Sequence, residues 1–186
     1  EISGFRIKNV NPNVFKASIR NKVRYWDKAG TQDDGAYTVG LLMYELSNDY
    51  YVVVDVVRGQ WSTKKREQMI ADTALIDGNT CMQILEQEPG SGGKESAENT
   101  KFTLRSLGLP VKLDRPTGDK IYRADPWSVR VNRGQVILVQ APWNGDYIRE
   151  HRLFPRSKYK DQVDASSGAY GHLFNGKRAG VWGGRR

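Results

Sequence analysis

The sequence predicts an α/β fold: a mixed sheet, antiparallel in its first three strands and parallel in the later ones, flanked by helices. Three observations predict it. Three β-rich runs follow one another with short connections, as in strands joined by hairpins. Beyond them, apolar strand-like runs alternate with segments of helical spacing, the pattern of strands connected by covering helices. The 186 residues suffice for one sizeable core and show no internal repeat.

Residues 1–19 mix Asn, Pro, Lys and isolated apolar residues without a period, and read as a linker or N-terminal arm. The run 22–27 (KVRYWD) is short, β-rich and ends on Asp27. The runs 36–46 (AYTVGLLMYEL) and 50–58 (YYVVVDVVR) are joined by Ser47, Asn48 and Asp49, so aromatic and β-branched residues frame a tight turn. From Ser62, a capping residue, Arg66, Met69, Ile70, Thr73 and Ala74 recur at helical spacing until Asp77 and Gly78.

A strand over 81–86 follows, with the lone Cys81 opening it as a buried residue. Next come a helix over 95–107 stopped by Gly108, a short strand over 111–113, and a helix over 120–132 in which Pro126 marks a kink or joint. A strand over 135–140 and helices over 144–153 and 161–174 complete the pattern. Residues 176–186, rich in glycine and basic side chains, read as a flexible basic tail, which leaves 20–175 as the folded domain.

Lys and Arg number 29 against 21 Asp and Glu, a net charge of +8, which favours a polyanionic partner. No stretch approaches the roughly 20 apolar residues that span a bilayer, and residues 1–7 lack the apolar core of a signal peptide. One cysteine excludes an internal disulfide and favours an intracellular setting.

The segment 84–96 (ILEQEPGSGGKES) poses a choice between a phosphate-cradling loop and an acidic strand end. A P-loop reads G-x-x-x-x-G-K-[ST], but Glu88 and Glu95 stand where glycine and a hydroxyl belong. Those acids would repel phosphate, so the P-loop reading fails.

Glu86 instead closes an apolar strand before Pro89 and Gly90 force a turn, and functional groups in open α/β sheets gather beyond strand C-termini. Asp27 closes the first run in the same way, and Asp161 and Asp164 share one helix face at i and i+3. Singly, each is explained as a loop acid or a helix cap. Together they form a pattern that capping does not explain.

Such carboxylates suit hard divalent cations, and two ions roughly 4 Å apart activate water and stabilise the leaving oxygen at a phosphodiester. His151 and His172 have no companion ligands and read as packing or surface residues, which argues against zinc.

The strings RYWDKAGTQDDGAYTVGLLMYEL, YYVVVDVVRGQWS, ILEQEPGSGGKES, RPTGDKIYRADP and KDQVDASSGAY resemble, in order, the C-terminal nuclease domain of tailed-phage terminase large subunits. EQEPGSGGK and TGDKxxRAxP are the most specific of them. The resemblance implies a ribonuclease H-like fold related to RuvC resolvases and retroviral integrases. It also implies a divalent-metal-dependent endonuclease that cuts concatemeric double-stranded viral DNA with low sequence preference, leaving a 3′-hydroxyl and a 5′-phosphate.

By position, Asp27, Glu86 and Asp161 would be the catalytic acids and would hold two Mg²⁺ or Mn²⁺ ions, with Asp164 as a further ligand or the residue that orients Asp161. Many relatives carry paired acids where this chain has Lys160 and Asp161, and often an acid where it has Ala36. Asp33 and Asp34 read as solvated loop acids, with a second-layer role as the alternative, and Glu88 is an understudy for Glu86.

Lys94, Lys120 and Arg123 are the expected phosphate contacts, with Arg115 and Lys28 behind them, while Trp61, Trp127 and Trp143 are assigned to packing. The implied partners are double-stranded DNA and, in the full-length protein, an N-terminal ATPase domain, the phage portal and the small terminase subunit. No membrane partner is expected, and the isolated domain is expected to be monomeric. The implied setting is the host cell cytoplasm, with the protein absent from the mature virion. No Walker A sequence appears, so this chain is not expected to hydrolyse ATP. Two alternatives remain: a Holliday-junction resolvase or transposase-like nuclease of the same fold, and a catalytically silent DNA-binding assembly module.

Overall fold

Alternation along one strand sets up the whole architecture. In β2 (Ile19–Asp27), Val23 and Tyr25 point into one apolar cluster while Trp26 points into another on the opposite face of the sheet. The computed structural model describes residues 4–28 and 35–181, and within them the strands form one seven-stranded sheet. The other strands are β1 (Phe5–Lys8), β3 (Thr38–Leu46), β4 (Tyr51–Gly59), β5 (Met82–Glu86), β6 (Val111–Asp114) and β7 (Val136–Val139), and the spatial order is β1-β7-β4-β3-β2-β5-β6. β2, β3 and β4 pair antiparallel; β5 and β6 on one side, and β7 and β1 on the other, add in parallel. The predicted mixed sheet is the observed one.

Five helices cover it: α1 (Thr63–Asp77), α2 (Ser91–Ser106), α3 (Lys120–Asn132), α4 (Asn144–Leu153) and α5 (Asp161–Val181). Helices α1 and α2 bring Ile70, Ala74 and Leu104 onto Trp26 and Leu85. On the other face α3, α4 and α5 bring Trp127, Tyr147, Ala165, Ala169 and Tyr170 onto Tyr25, Leu41, Met43 and Tyr51. Gly40 lies under the Trp26 ring and Gly168 of α5 under the Tyr25 ring; an added Cβ would meet ring carbons at 2.3 Å and 2.2 Å, so only glycine allows either approach. Among the described residues no helix is long and apolar enough to cross a membrane.

Two predicted ends differ from the structure. Part of the segment expected as a linker, 1–19, is the edge strand β1, paired in parallel with β7, followed by a 3-10 turn over Pro12–Ser18. Phe5 and Phe15 are buried and supply the reason, although four residues with one buried side chain give too little period to read as a strand. At the other end, the predicted tail begins inside α5, whose backbone stays helical to Val181, while 182–186 lie outside the described residues. Helix α2 also starts earlier than its predicted Glu95, at Ser91.

Candidate metal centre and nuclease site

The pleat decides where the strand-end acids point. Asp27 is two residues beyond Tyr25, Glu86 two beyond Ile84, and both predecessors belong to the cluster under α5. In β6, Leu113 packs with the opposite cluster, which turns its neighbour Asp114 towards α5. Three carboxylates therefore end adjacent strands β2, β5 and β6 on the face covered by α5, and Glu86 and Asp114 are direct register partners.

Helix α5 contributes two more. Its leading N–H groups are already capped from elsewhere: Glu150 of α4 accepts from Gln162 N at 2.6 Å and from Val163 N at 3.2 Å. That leaves Asp161 and Asp164 free of the capping duty that would have explained them. Asp161 Oδ2 instead accepts from the backbone N–H of Tyr37, just before β3, at 3.1 Å.

The acids sit close enough to disturb one another. Burial, then the charge of Glu86, push the Asp27 carboxyl well above its ordinary range, with Asp164 and Asp161 adding to the effect. Burial likewise raises Glu86, against the pull of Arg123, the Tyr25 hydroxyl and Lys120. Burial raises Asp161 against the Tyr37 N–H. Asp27, Glu86 and Asp164 are 9%, 8% and 3% exposed, so water does little to screen this repulsion.

The countercharge comes from α3. Lys120, its first residue, places its ammonium against Asp164 Oδ2. Burial opposes that charge, but the bond to Asp164 and the charges of Asp164, Asp27 and Glu86 outweigh it and raise the ammonium. Arg123 also faces Glu86 and Asp114, and its Nε is buried without a hydrogen-bond partner. It lines a cleft of about 460 Å³ with Lys112, Asp114, His172 and Asn175.

The Tyr25 hydroxyl lies 2.7 Å from Asp114 Oδ2 and 3.0 Å from Glu86 Oε2, so one phenolic proton serves two carboxylates. Burial, reinforced by those charges, holds the phenol protonated far above its usual range. His172 Nε2 approaches Asp114 at 3.5 Å; its bond and that of Tyr25 overcome the effect of burial and hold Asp114 below its ordinary range.

The predicted residues thus separate into groups. Asp27, Glu86, Asp161 and Asp164 come within electrostatic reach of one another. Among the described residues, however, no three His, Cys, Asp or Glu side chains are already drawn together as a cation site. Lys120 and Arg123 belong to the same neighbourhood, whereas Lys94 is exposed in the first turn of α2 and Arg115 is exposed with Nε on Gln87 at 2.9 Å.

Lys28 departs from expectation. It is 6% exposed and donates to Ser96 Oγ and Thr100 Oγ1, each at 2.8 Å, so it ties the end of β2 to α2 and is not presented to phosphate. Glu88 is exposed, and Gly93 packs against its backbone, which accounts for that glycine without any phosphate. Asp33 and Asp34 lie outside the described residues. His151 is a packing residue, taking Trp127 Nε1–H at 3.1 Å, and Trp127 is buried as assigned.

Sequence reasoning missed Asp114, Tyr25 and Glu150. Asp114 carried the signal used for Asp27 and Glu86, an acid closing an apolar run, but its run is only four residues long.

Comparison with known proteins fits this arrangement. The sequence model of the Terminase RNaseH-like domain family matches residues 24–173. No curated protein sequence matches the chain. The large terminase nuclease from thermophilic phage G20c with bound magnesium shares the fold at a TM-score of 0.60 and 12% identity, over 83% of this chain and 84% of that one. The human cytomegalovirus terminase nuclease domain, manganese-soaked, gives 0.59 and 14%, over 89% and 88%. RuvC of T. thermophilus, in complex with a Holliday junction substrate, gives 0.51 and 11%, over 84% and 96%. With the family model running from β2 into the last helix over a sheet that shares the fold of these structures, this chain belongs to the terminase RNase H-like domain family.

Proposed function

We propose that the chain is the divalent-metal-dependent endonuclease of a viral DNA-packaging terminase, hydrolysing phosphodiesters of concatemeric double-stranded DNA. One observation carries this reading: α5 is capped by Glu150, so Asp161 and Asp164 are spared to face Asp27 and Glu86 at the strand ends. Five buried or half-buried carboxylates, Asp114 included, are costly to collect without cations to serve.

The donor set fits such ions. Its groups are hard oxygen ligands with no thiolate, the class that Mg²⁺ and Mn²⁺ take, and the Lys120 ammonium on Asp164 stands in for a cation there. Asp27, Glu86, Asp161 and Asp164 would hold the ions, two by analogy with two-metal hydrolases. When bound, the ions supply activation of the attacking water and stabilisation of charge on the leaving oxygen. The magnesium and manganese in the phage and cytomegalovirus nucleases support that choice.

The remaining work falls to the chain itself. Tyr25 fixes Glu86 Oε2, and the Tyr37 N–H orients Asp161. Arg123, with its unspent Nε, receives a backbone phosphate in the cleft beside Asp114, and Lys94 contacts the duplex from the rim. Phosphate contacts position DNA without reading its sequence, so cutting is expected to show low sequence preference. In the full-length protein the domain would act beside an ATPase domain, the portal and the small subunit, in the host cell cytoplasm.

Incubating plasmid with Mn²⁺ and either the protein or its Asp27→Asn variant tests the reading. Cleavage by the first alone supports it. Cleavage by neither returns the chain to a DNA-binding assembly module, and cleavage by both places the chemistry away from Asp27. A four-way junction in a parallel reaction separates a resolvase, which would prefer it to linear duplex.

A further inference from the structure

Lys120 occupies an unusual position for a residue expected to meet DNA. It is the first residue of α3, fixed there because Asp119 caps the helix by accepting from Ile121 N at 2.7 Å, while Gly118 turns the chain with a φ of 84°. Its side chain is 52% exposed along its length, yet its ammonium ends on Asp164, whose own side chain is 2% exposed. The stem reaches in from solvent and delivers charge to the floor of the site. Lys120 also lines a second cleft, of about 360 Å³, with Lys158, Lys160 and Asp161.

The Lys120 ammonium carries one positive charge and, among the described acids of the site, spends its hydrogen bond on Asp164. Asp27, Glu86 and Asp161 therefore remain mutually repelling even with Lys120 in place. A divalent ion needs the oxygen of Asp164 that the lysine holds, and brings twice the charge.

We propose that Lys120 is a tethered counterion of the metal-free protein, seated on Asp164 until a divalent cation displaces it, so that metal affinity here is set by competition with a side chain of the same molecule. The inference rests on the metal-dependent reading above. The competitor costs affinity, and in exchange the carboxylates stay folded while no metal is bound. Once displaced, the ammonium has the lysine-lined cleft beside Asp161 to enter.

Mn²⁺ titration calorimetry and thermal melting of the wild type, Lys120→Met and Lys120→Arg provide the test. Lys120→Met is expected to bind Mn²⁺ several-fold to tenfold more tightly, to melt lower than wild type in chelator, and to gain more from saturating Mn²⁺. Lys120→Arg, which keeps the cation, is expected to stay near wild type in affinity. Should Lys120→Met not fold, NMR of the wild-type lysine side chains reads the displacement directly: the Lys120 ammonium protons should exchange slowly in chelator and rapidly after Mg²⁺ is added. Equal or weaker Mn²⁺ binding by Lys120→Met, or a Lys120 signal indifferent to Mg²⁺, overturns the counterion and leaves the nuclease reading standing. No binding by any of the three proteins overturns both.

Discussion

Replacing Gly168 by alanine should damage the protein, although alanine is the better helix former. The ideal Cβ at this position would lie 2.2 Å from Cζ, 2.4 Å from Cε2 and 2.6 Å from Cε1 of Tyr25. Carbon atoms pack at about 3.5–4.0 Å, so ring or helix must move by more than an ångström. Tyr25 is fully buried, and its hydroxyl is held at 2.7 Å and 3.0 Å by Asp114 and Glu86, so the ring has no free direction.

Overpacking of this kind costs about 1–3 kcal/mol and rises where neighbours are fixed, against a helix-propensity gain of about 1 kcal/mol. A net loss of about 2 kcal/mol is expected. Gly171, one turn further along α5, is the control, because a Cβ there meets nothing within 4 Å; Gly171→Ala should gain up to about 1 kcal/mol.

For a domain this size 1 kcal/mol moves Tm by about 2–4 °C, so calorimetric melts in chelator should separate the two variants by roughly 6–12 °C. Below its melting temperature Gly168→Ala should also cleave plasmid more slowly, since the displaced phenol no longer fixes Glu86. A Gly168→Ala protein melting at or above wild type would refute the packing argument, and normal cleavage would remove Tyr25 from the site.

Further outcomes follow from the same structure. Arg24 is 2% exposed and bonds Asp77 at 2.6 Å and 2.8 Å and Asp55 at 2.9 Å, so Arg24→Met strands a buried carboxylate and should cost about 3–5 kcal/mol in urea denaturation. Lys28→Met should lower stability by about 1–3 kcal/mol while leaving the salt dependence of DNA binding unchanged. Arg123→Met should instead reduce the slope of log affinity against log salt by about 1. Burial pushes His151 down to about 4, below its ordinary value of 6.5, so the native state binds fewer protons than the unfolded one. Its contribution is complete above pH 6.5 and is lost as pH falls towards about 4, worth about 3 kcal/mol. Comparing wild type with His151→Gln across that window isolates it from the carboxylates, and equal losses in both proteins would count against it.

The elements were legible wherever local pattern and tertiary demand agreed. The helix predicted over 120–132 has those bounds in the structure, and Ser62 caps α1 through Lys65 N as its position suggested. Edges were less legible. β1 is four residues long and is made a strand by β7, which lies 128 or more positions away in the chain. Lys28 follows Asp27 in sequence and was grouped with the DNA contacts, yet a lysine's partners depend on what packs beside it, and here that is α2. Glu150 gave no sign of its role, because a cap supplied from another helix leaves no local motif.

By itself the sequence determined the order of strands and helices, the acids that close them and a family resemblance covering most of the chain. Strand periodicity, turn chemistry and charge are local properties, readable within a few residues. Which face each acid occupies, which acid is spent on capping, and where the Lys120 ammonium comes to rest were decided by the tertiary structure. Those depend on sheet order and on helices from distant parts of the chain, and burial is what makes their charges matter to one another.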